Sequence, residues 1–234
     1  MPLRHSARVN PSKFVCGLAV LEFVGFTILG CAGPLAQPGP SGQQGDGGAE
    51  VVGAQRLEGS FQITNRLDME QIGRFEEITG NVSIASAGLS QVELTGLRRI
   101  GGWLCVDLYG SLGLVGLSAP NLERIGGSLI LENSGNNSGC AGRPTPSASL
   151  ETLSLPSLTS VGGGVRILNL PSLSSFQMPR LQQVGIYEDE AVSIRFQNNR
   201  SIPQCLVDRF IEQLPDGGIP GPTITQTNGV GTCP

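Results

Sequence analysis

Leu97-Arg98-Arg99-Ile100-Gly101-Gly102-Trp103-Leu104-Cys105-Val106 and Leu122-Glu123-Arg124-Ile125-Gly126-Gly127-Ser128-Leu129-Ile130-Leu131 are two copies of one phrase. In each, a Gly-Gly pair follows two spaced aliphatic residues, and two further apolar residues stand two and four places after the second glycine. Apolar residues two apart make a short strand with one buried face. The same glycine-led strand recurs at Gly59-x-Phe61-x-Ile63, Gly80-x-Val82-x-Ile84 and Gly163-x-Val165-x-Ile167, so the chain holds five copies.

After each strand, apolar residues recur at intervals of three, two, three and three. Leu89, Val92, Leu94, Leu97 and Ile100 follow this rule, as do Leu114, Leu117, Ala119, Leu122 and Ile125. So do Leu150, Leu153, Leu155, Leu158 and Val161, and then Leu173, Phe176, Met178, Leu181 and Val184. The first copy fits with Leu67, Ile72, Phe75 and Ile78, with Glu70 in the second place. Successive copies are 21 to 25 residues apart, and one interval is lengthened to 36.

Self-similarity at this period marks a solenoid, in which no coil can bury its own apolar row and each row covers the next. We read each coil as a strand, a turn, a second strand and a bend. The fold class is then mainly β, a right-handed parallel β-helix of about five coils, with glycine at corners that need positive φ or close packing. Pro120, Pro156 and Pro179 each follow the third anchor of a coil, where a strand ends and no ladder donor is needed. A solenoid end needs a cap, and residues 203–214 supply one: Leu206, Val207, Phe210, Ile211 and Leu214 recur on one face of a helix opened by Ser201 and Pro203.

Residues between the buried positions of the glycine-led strands face outward and stack in columns. One column reads Ser60, Asn81, Trp103, Ser128, Gly164; the second Gln62, Ser83, Cys105, Ile130, Arg166; the third Thr64, Ala85, Asp107, Glu132, Leu168. Trp103, the sole tryptophan, is therefore a candidate partner contact, unless the 134–149 insertion folds over it.

The spacing, with its Ile100-Gly101-Gly102 and Ile125-Gly126-Gly127 corners, resembles the receptor L domain, the leucine-rich β-helix module of the insulin and epidermal growth factor receptors. It is also similar to bacterial lipoproteins that carry this module alone. The resemblance runs from about Leu57 to Leu214 and includes the segment Asn198-Asn199-Arg200-Ser201-Ile202-Pro203-Gln204-Cys205. In the receptors the domain binds protein ligands; the Cys-rich module and kinase have no counterpart here.

The amino terminus reads as an address. Arg4, Arg8 and Lys13 precede an apolar run, Phe14 to Gly30, that is interrupted by Glu22, which is a signal-peptide layout over residues 1–30. Ile28-Leu29-Gly30-Cys31 resembles the lipobox of bacterial lipoproteins, which implies acylation of Cys31, an anchor in the membrane and residence in the outer membrane of the cell envelope. Residues 31–55 are rich in Gly, Pro and Gln without periodicity and read as a disordered tether, leaving 56–234 for the solenoid and its cap.

Composition narrows the function. The sequence of 234 residues has net charge −4 and no basic surplus for nucleic acid. Its only histidine, His5, and only lysine, Lys13, both precede Cys31. A mature chain beginning at Cys31 has no imidazole acid or base, no histidine-ligated metal and no Schiff-base lysine.

Four cysteines then remain in the mature domain, and in an exported chain they read as disulfides rather than metal ligands, there being no Cys-x-x-Cys. Three connectivities are open. The expected pairs are Cys205 with Cys233, tying down the tail, and Cys105 with Cys140, pinning the insertion over the outer face. That insertion would present Asn136, Asn137 and Arg143 beside Trp103 as a contact rim.

The expected role is thus a lipid-anchored envelope interaction or structural protein, binding a protein or glycan without cofactor, metal or catalysis. The alternative is a carbohydrate-active β-helix enzyme, for which Asp107 and Glu132 are the only adjacent acidic pair on the outward columns.

Overall fold

The structure, a computed structural model, describes residues 55–85, 88–108, 113–133, 149–187, 191–226, 228–231 and 233. The chain divides between Ala49 and Glu50, and all described residues belong to the second unit, Glu50–Pro234.

Six coils follow one another, each passing through the same three slots. The first contains β1 (Gln55–Leu57), β2 (Phe61–Ile63) and α1 (Arg66–Ile72); the second β3 (Phe75–Ile78), β4 (Val82–Ile84) and β5 (Gln91–Glu93). The third contains β6 (Arg99–Ile100), β7 (Leu104–Asp107) and β8 (Gly116–Ser118); the fourth β9 (Arg124–Ile125), β10 (Leu129–Glu132) and β11 (Thr152–Ser154). The fifth contains β12 (Ser160–Val161), β13 (Val165–Leu168) and β14 (Ser175–Gln177); the sixth β15 (Gln183–Val184), β16 (Ile194–Gln197) and α2 (Gln204–Glu212), before a last strand β17 (Thr223–Gln226).

The slots stack into three parallel sheets. Sheet A is β1-β3-β6-β9-β12-β15, sheet B is β2-β4-β7-β10-β13-β16-β17, and sheet C is β5-β8-β11-β14. The β-solenoid expected from the repeat is therefore present, with three strands per coil instead of two. The apolar row after each glycine-led strand crosses two bends: Val92, Leu117, Leu153 and Phe176 lie in sheet C, while Ile100, Ile125, Val161 and Val184 lie in sheet A. Two-residue sheet A strands cannot be separated from the bend before them by periodicity alone.

The solenoid is also longer than five coils. In β16 the inward residues are Ile194 and Phe196, both fully buried, but Val192 stands where the other coils have glycine. In β17 the glycine position is kept by Gly221, but Thr223 and Thr225 take the inward aliphatic places. Each strand thus lacks one half of the signature.

Helices fill the sheet C slot in the first and last coils. Arg66–Ile72 was not expected to be helical; Asn65 caps it, its side chain accepting from the amides of Leu67 and Asp68 at 2.8 and 3.2 Å, while the Asp68 carboxylate accepts from the Asn65 amide. This local capping box overrides the coil pattern. At the other end α2 buries Val207 and Phe210 in the core, with Leu206 and Ile211 partly buried. The Phe210 ring meets those of Phe176 and Phe196 at centroid distances of 5.3 and 5.7 Å, so α2 covers the last apolar row as a cap.

The glycine corners are needed for close approach rather than for unusual dihedrals. Gly101, Gly126, Gly162 and Gly185 stack, and a Cβ on any of them would overlap the carbonyl oxygen of the coil before it. None has positive φ, which among the coil-leading glycines occurs only at Gly59 (φ 103°).

Candidate functional site

Register decides which outward side chains meet. Gln62 pairs with Ser83, Ser83 with Cys105, Cys105 with Ile130, and Ile130 with Arg166, so the second column is in place residue for residue. Asp107 faces Glu132, and Glu132 faces Leu168. In the first column, polar side chains serve the backbone of the next coil: Ser60 Oγ accepts from the Asn81 amide at 3.0 Å, Asn81 Oδ1 from Trp103 at 3.0 Å, and Ser128 Oγ from Gly164 at 3.2 Å.

The middle of this outward face is closed off. Cys105 and Ile130 retain 1% and 3% of their exposure, packed with Tyr187 and the half-buried Trp103. Beside them Arg166 Nη2 lies 3.3 Å from Glu132 Oε2, both side chains buried, and the guanidinium stacks over the Tyr187 ring at 4.6 Å. Glu132 is thus paired with Arg166 and lies opposite Asp107 on the ladder, so the two acidic residues of the outward columns are neighbours and one of them is buried.

Cys205 and Cys233 are joined in a disulfide, with Cα atoms 6.1 Å apart. Cys105 is also disulfide-bonded. Cys31, Asn136, Asn137, Cys140 and Arg143 lie outside the described residues.

A recess of about 520 Å³ lies at the bend between sheets C and A and runs along the solenoid axis. Its walls come from four successive turns of the bend: Arg74, Thr95 with Gly96, Asn121, and Ser157. Gly96 leaves a notch there, because any side chain would collide with the Gly73 carbonyl. Asn121 Nδ2 donates to Thr95 O at 2.6 Å and Ser157 Oγ to Pro120 O at 2.6 Å, locking the walls coil to coil.

Glu123 accepts from Arg98 Nε at 3.2 Å and from its Nη2. That hydrogen bond, helped by the charges of Glu123 and Glu76, holds the Arg98 guanidinium above its already high ordinary value, so it stays charged. Arg74, on the preceding turn of the bend, makes no ion pair among the described residues. The recess therefore offers guanidinium, carboxylate, amide and hydroxyl groups in fixed places, the chemistry of polar-ligand recognition.

No protein-family model, curated protein or solved structure matches this chain. The recess was missed in the sequence because its members occupy the bend between anchors, where one coil says nothing of the next. A signal was nevertheless present, since Arg98-Arg99 and Glu123-Arg124 hold equivalent places in the two copies of the repeat phrase. Among the described residues no group of three or more His, Cys, Asp or Glu side chains is placed to hold a metal ion, and no helix is long and apolar enough to cross a membrane.

Proposed function

We propose that this protein is a lipid-anchored component of the bacterial cell envelope that binds a partner on the outer surface of a receptor-L-domain-like solenoid and carries out no catalysis. The observation that carries the binding part is the axial recess between sheets C and A, whose polar groups come from four coils held in register. A rigid frame lowers the ordering cost of binding. The anchor rests on the basic residues, apolar run and Ile28-Leu29-Gly30-Cys31 of the amino terminus. Trp103, with Asn136, Asn137 and Arg143, forms a second contact rim in this reading.

Two measurements test it. Full-length protein is expected in the detergent phase on phase separation and Cys31→Ser in the aqueous phase; equal partition of both removes the anchor. Immobilised solenoid is then exposed to separated envelope proteins and envelope glycans. Retention of one class by wild type and its loss in Arg98→Ala or Asn121→Ala supports the recess, whereas retention unchanged in both variants removes it as the contact.

A further inference from the structure

The outward column of sheet A reads, in register, Arg56, Glu77, Arg99, Arg124, Ser160, Gln183. Its charges are unevenly matched. Glu77 Oε2 accepts from Arg99 Nη2 at 2.8 Å and from its Nε at 3.1 Å, and Arg56 is shared between Glu58 and Glu77. Arg124 comes next, directly opposite Arg99 at the inter-strand spacing of about 4.8 Å. Like charges facing each other on a ladder are unfavourable. Arg124 is exposed and has no ion pair among the described residues, while its other neighbour is the neutral Ser160.

What sets Arg124 apart from other exposed arginines is the recess beside it. An open recess of about 310 Å³ is lined by Arg124, Ser160, Gln183 and a glycine wall that includes Gly162, Gly185, Gly217 and Gly218. The wall is bare because the stacking of coils forbids Cβ atoms at Gly162, Gly185 and Gly218, which leaves the guanidinium facing an open cavity instead of a neighbouring side chain. No carboxylate lines this cavity.

We propose that this recess is a binding site for a carboxylate-bearing saccharide unit, with Arg124 taking the carboxylate and Ser160 and Gln183 taking ring hydroxyls. A planar guanidinium matches a carboxylate through two parallel hydrogen bonds. The hydroxyl and amide each both donate and accept, as sugar hydroxyls require. The volume lies at the lower end of the range for ligand pockets, which suits one sugar unit. The site rests on the reading that the solenoid binds through its outer surface, but it occupies a different recess from the one holding Arg98 and Asn121.

The test is an NMR titration of the 15N-labelled solenoid with D-glucuronate, D-glucose and inorganic phosphate in parallel, following the Arg124 Nε–H and nearby amides. D-glucuronate is expected to shift Arg124 and the amides of Ser160 and Gly185 with saturation, and glucose to leave them in place. Arg124→Gln should weaken binding at least tenfold, and Gln183→Ala severalfold, with thermal melts not lowered, because both side chains are exposed and Arg124→Gln also removes the like-charge contact with Arg99. Absence of saturable shifts, or equal binding by Arg124→Gln, overturns the site. Phosphate binding as tightly as glucuronate overturns the saccharide assignment. An Arg98→Ala variant that still binds glucuronate separates this site from the axial recess, so failure of either reading is seen independently.

Discussion

Arg166 and Glu132 form an ion pair on the outer side of a sheet, Nη2 to Oε2 3.3 Å, with both side chains almost wholly buried. Two desolvated charges outside the hydrophobic core show that this stretch of sheet B is a second, closed interior, where Cys105, Ile130 and Tyr187 pack together. Breaking such a buried pair by removing one member costs about 3–5 kcal/mol, while replacing both with well-packed apolar residues of similar size costs little. Arg166→Met and Glu132→Leu are therefore expected to lower the urea midpoint strongly when made singly and only slightly together. Additive losses in the double variant would contradict this account.

The stacked glycine corners differ sharply from the other glycines. Gly126→Ala drives a methyl group into the Gly101 carbonyl and should cost on the order of 1–3 kcal/mol or more. Gly73→Ala is the control: φ is −60°, and an added Cβ would stand 3.6 Å from its nearest neighbours, an ordinary contact. It is expected to be neutral or to stabilise by about 0.4–1 kcal/mol, because alanine restricts the unfolded chain. Thermal melts of the two variants, side by side, decide the matter.

The Cys205–Cys233 bridge closes a loop with a sequence separation of 28 at the end of the solenoid. Loop-closure entropy gives it roughly 3–4 kcal/mol of stabilisation. A Cys205→Ala/Cys233→Ala variant should unfold at lower denaturant, with faster amide exchange in α2 and β17 than in β7 and β10. Exchange that rises equally everywhere would mean that the tail and the coils open as one unit.

Cys105 is disulfide-bonded, and Cys205 and Cys233 are taken by each other. A non-reducing peptide map of the mature protein is expected to join Cys105 to Cys140. A link from Cys105 to any other cysteine would relocate the 134–149 insertion and with it the contact rim beside Trp103.

Acid should loosen the first coils before the rest. The Asp68 carboxyl is held below its ordinary value by the Thr64 hydroxyl and by the amides of Thr64 and Asn65, with hydrogen bonds of 2.7, 2.8 and 3.2 Å. Glu77 is lowered chiefly by its hydrogen bond from Arg99. Because both values are depressed in the folded state, the unfolded chain takes up these protons first as the pH falls. Their contribution is present above the ordinary carboxylate range and is lost as the pH drops through the folded values. Asp68→Asn should reduce this acid sensitivity, read as a smaller difference between urea midpoints at pH 6 and pH 3; an unchanged difference would remove Asp68 from the account.

The placing of strands was legible wherever two aliphatic residues followed a glycine, because burial of one strand face and contact between corners both leave a mark in the sequence. Where one of those requirements was met by other means, the mark was lost. Val192 stands at the glycine position before β16, and Thr223 and Thr225 occupy the inward places of β17. Conversely Leu67, counted as an anchor, is 67% exposed on α1, because the cap formed by Asn65 and Asp68 turns that segment into a helix.

The sequence by itself determined that this chain coils into a parallel β-solenoid, which residues form most of its inner apolar rows, and which outward residues share a column. Those follow from a local period, since every coil repeats the same burial and the same corner. Tertiary structure alone decided that each coil has three strands, that part of sheet B is covered while sheet A stays open, and that Glu132 meets Arg166 while Arg124 faces a cavity. These depend on how neighbouring coils and loops fill the space beyond a strand, and a one-dimensional period holds no information about that space.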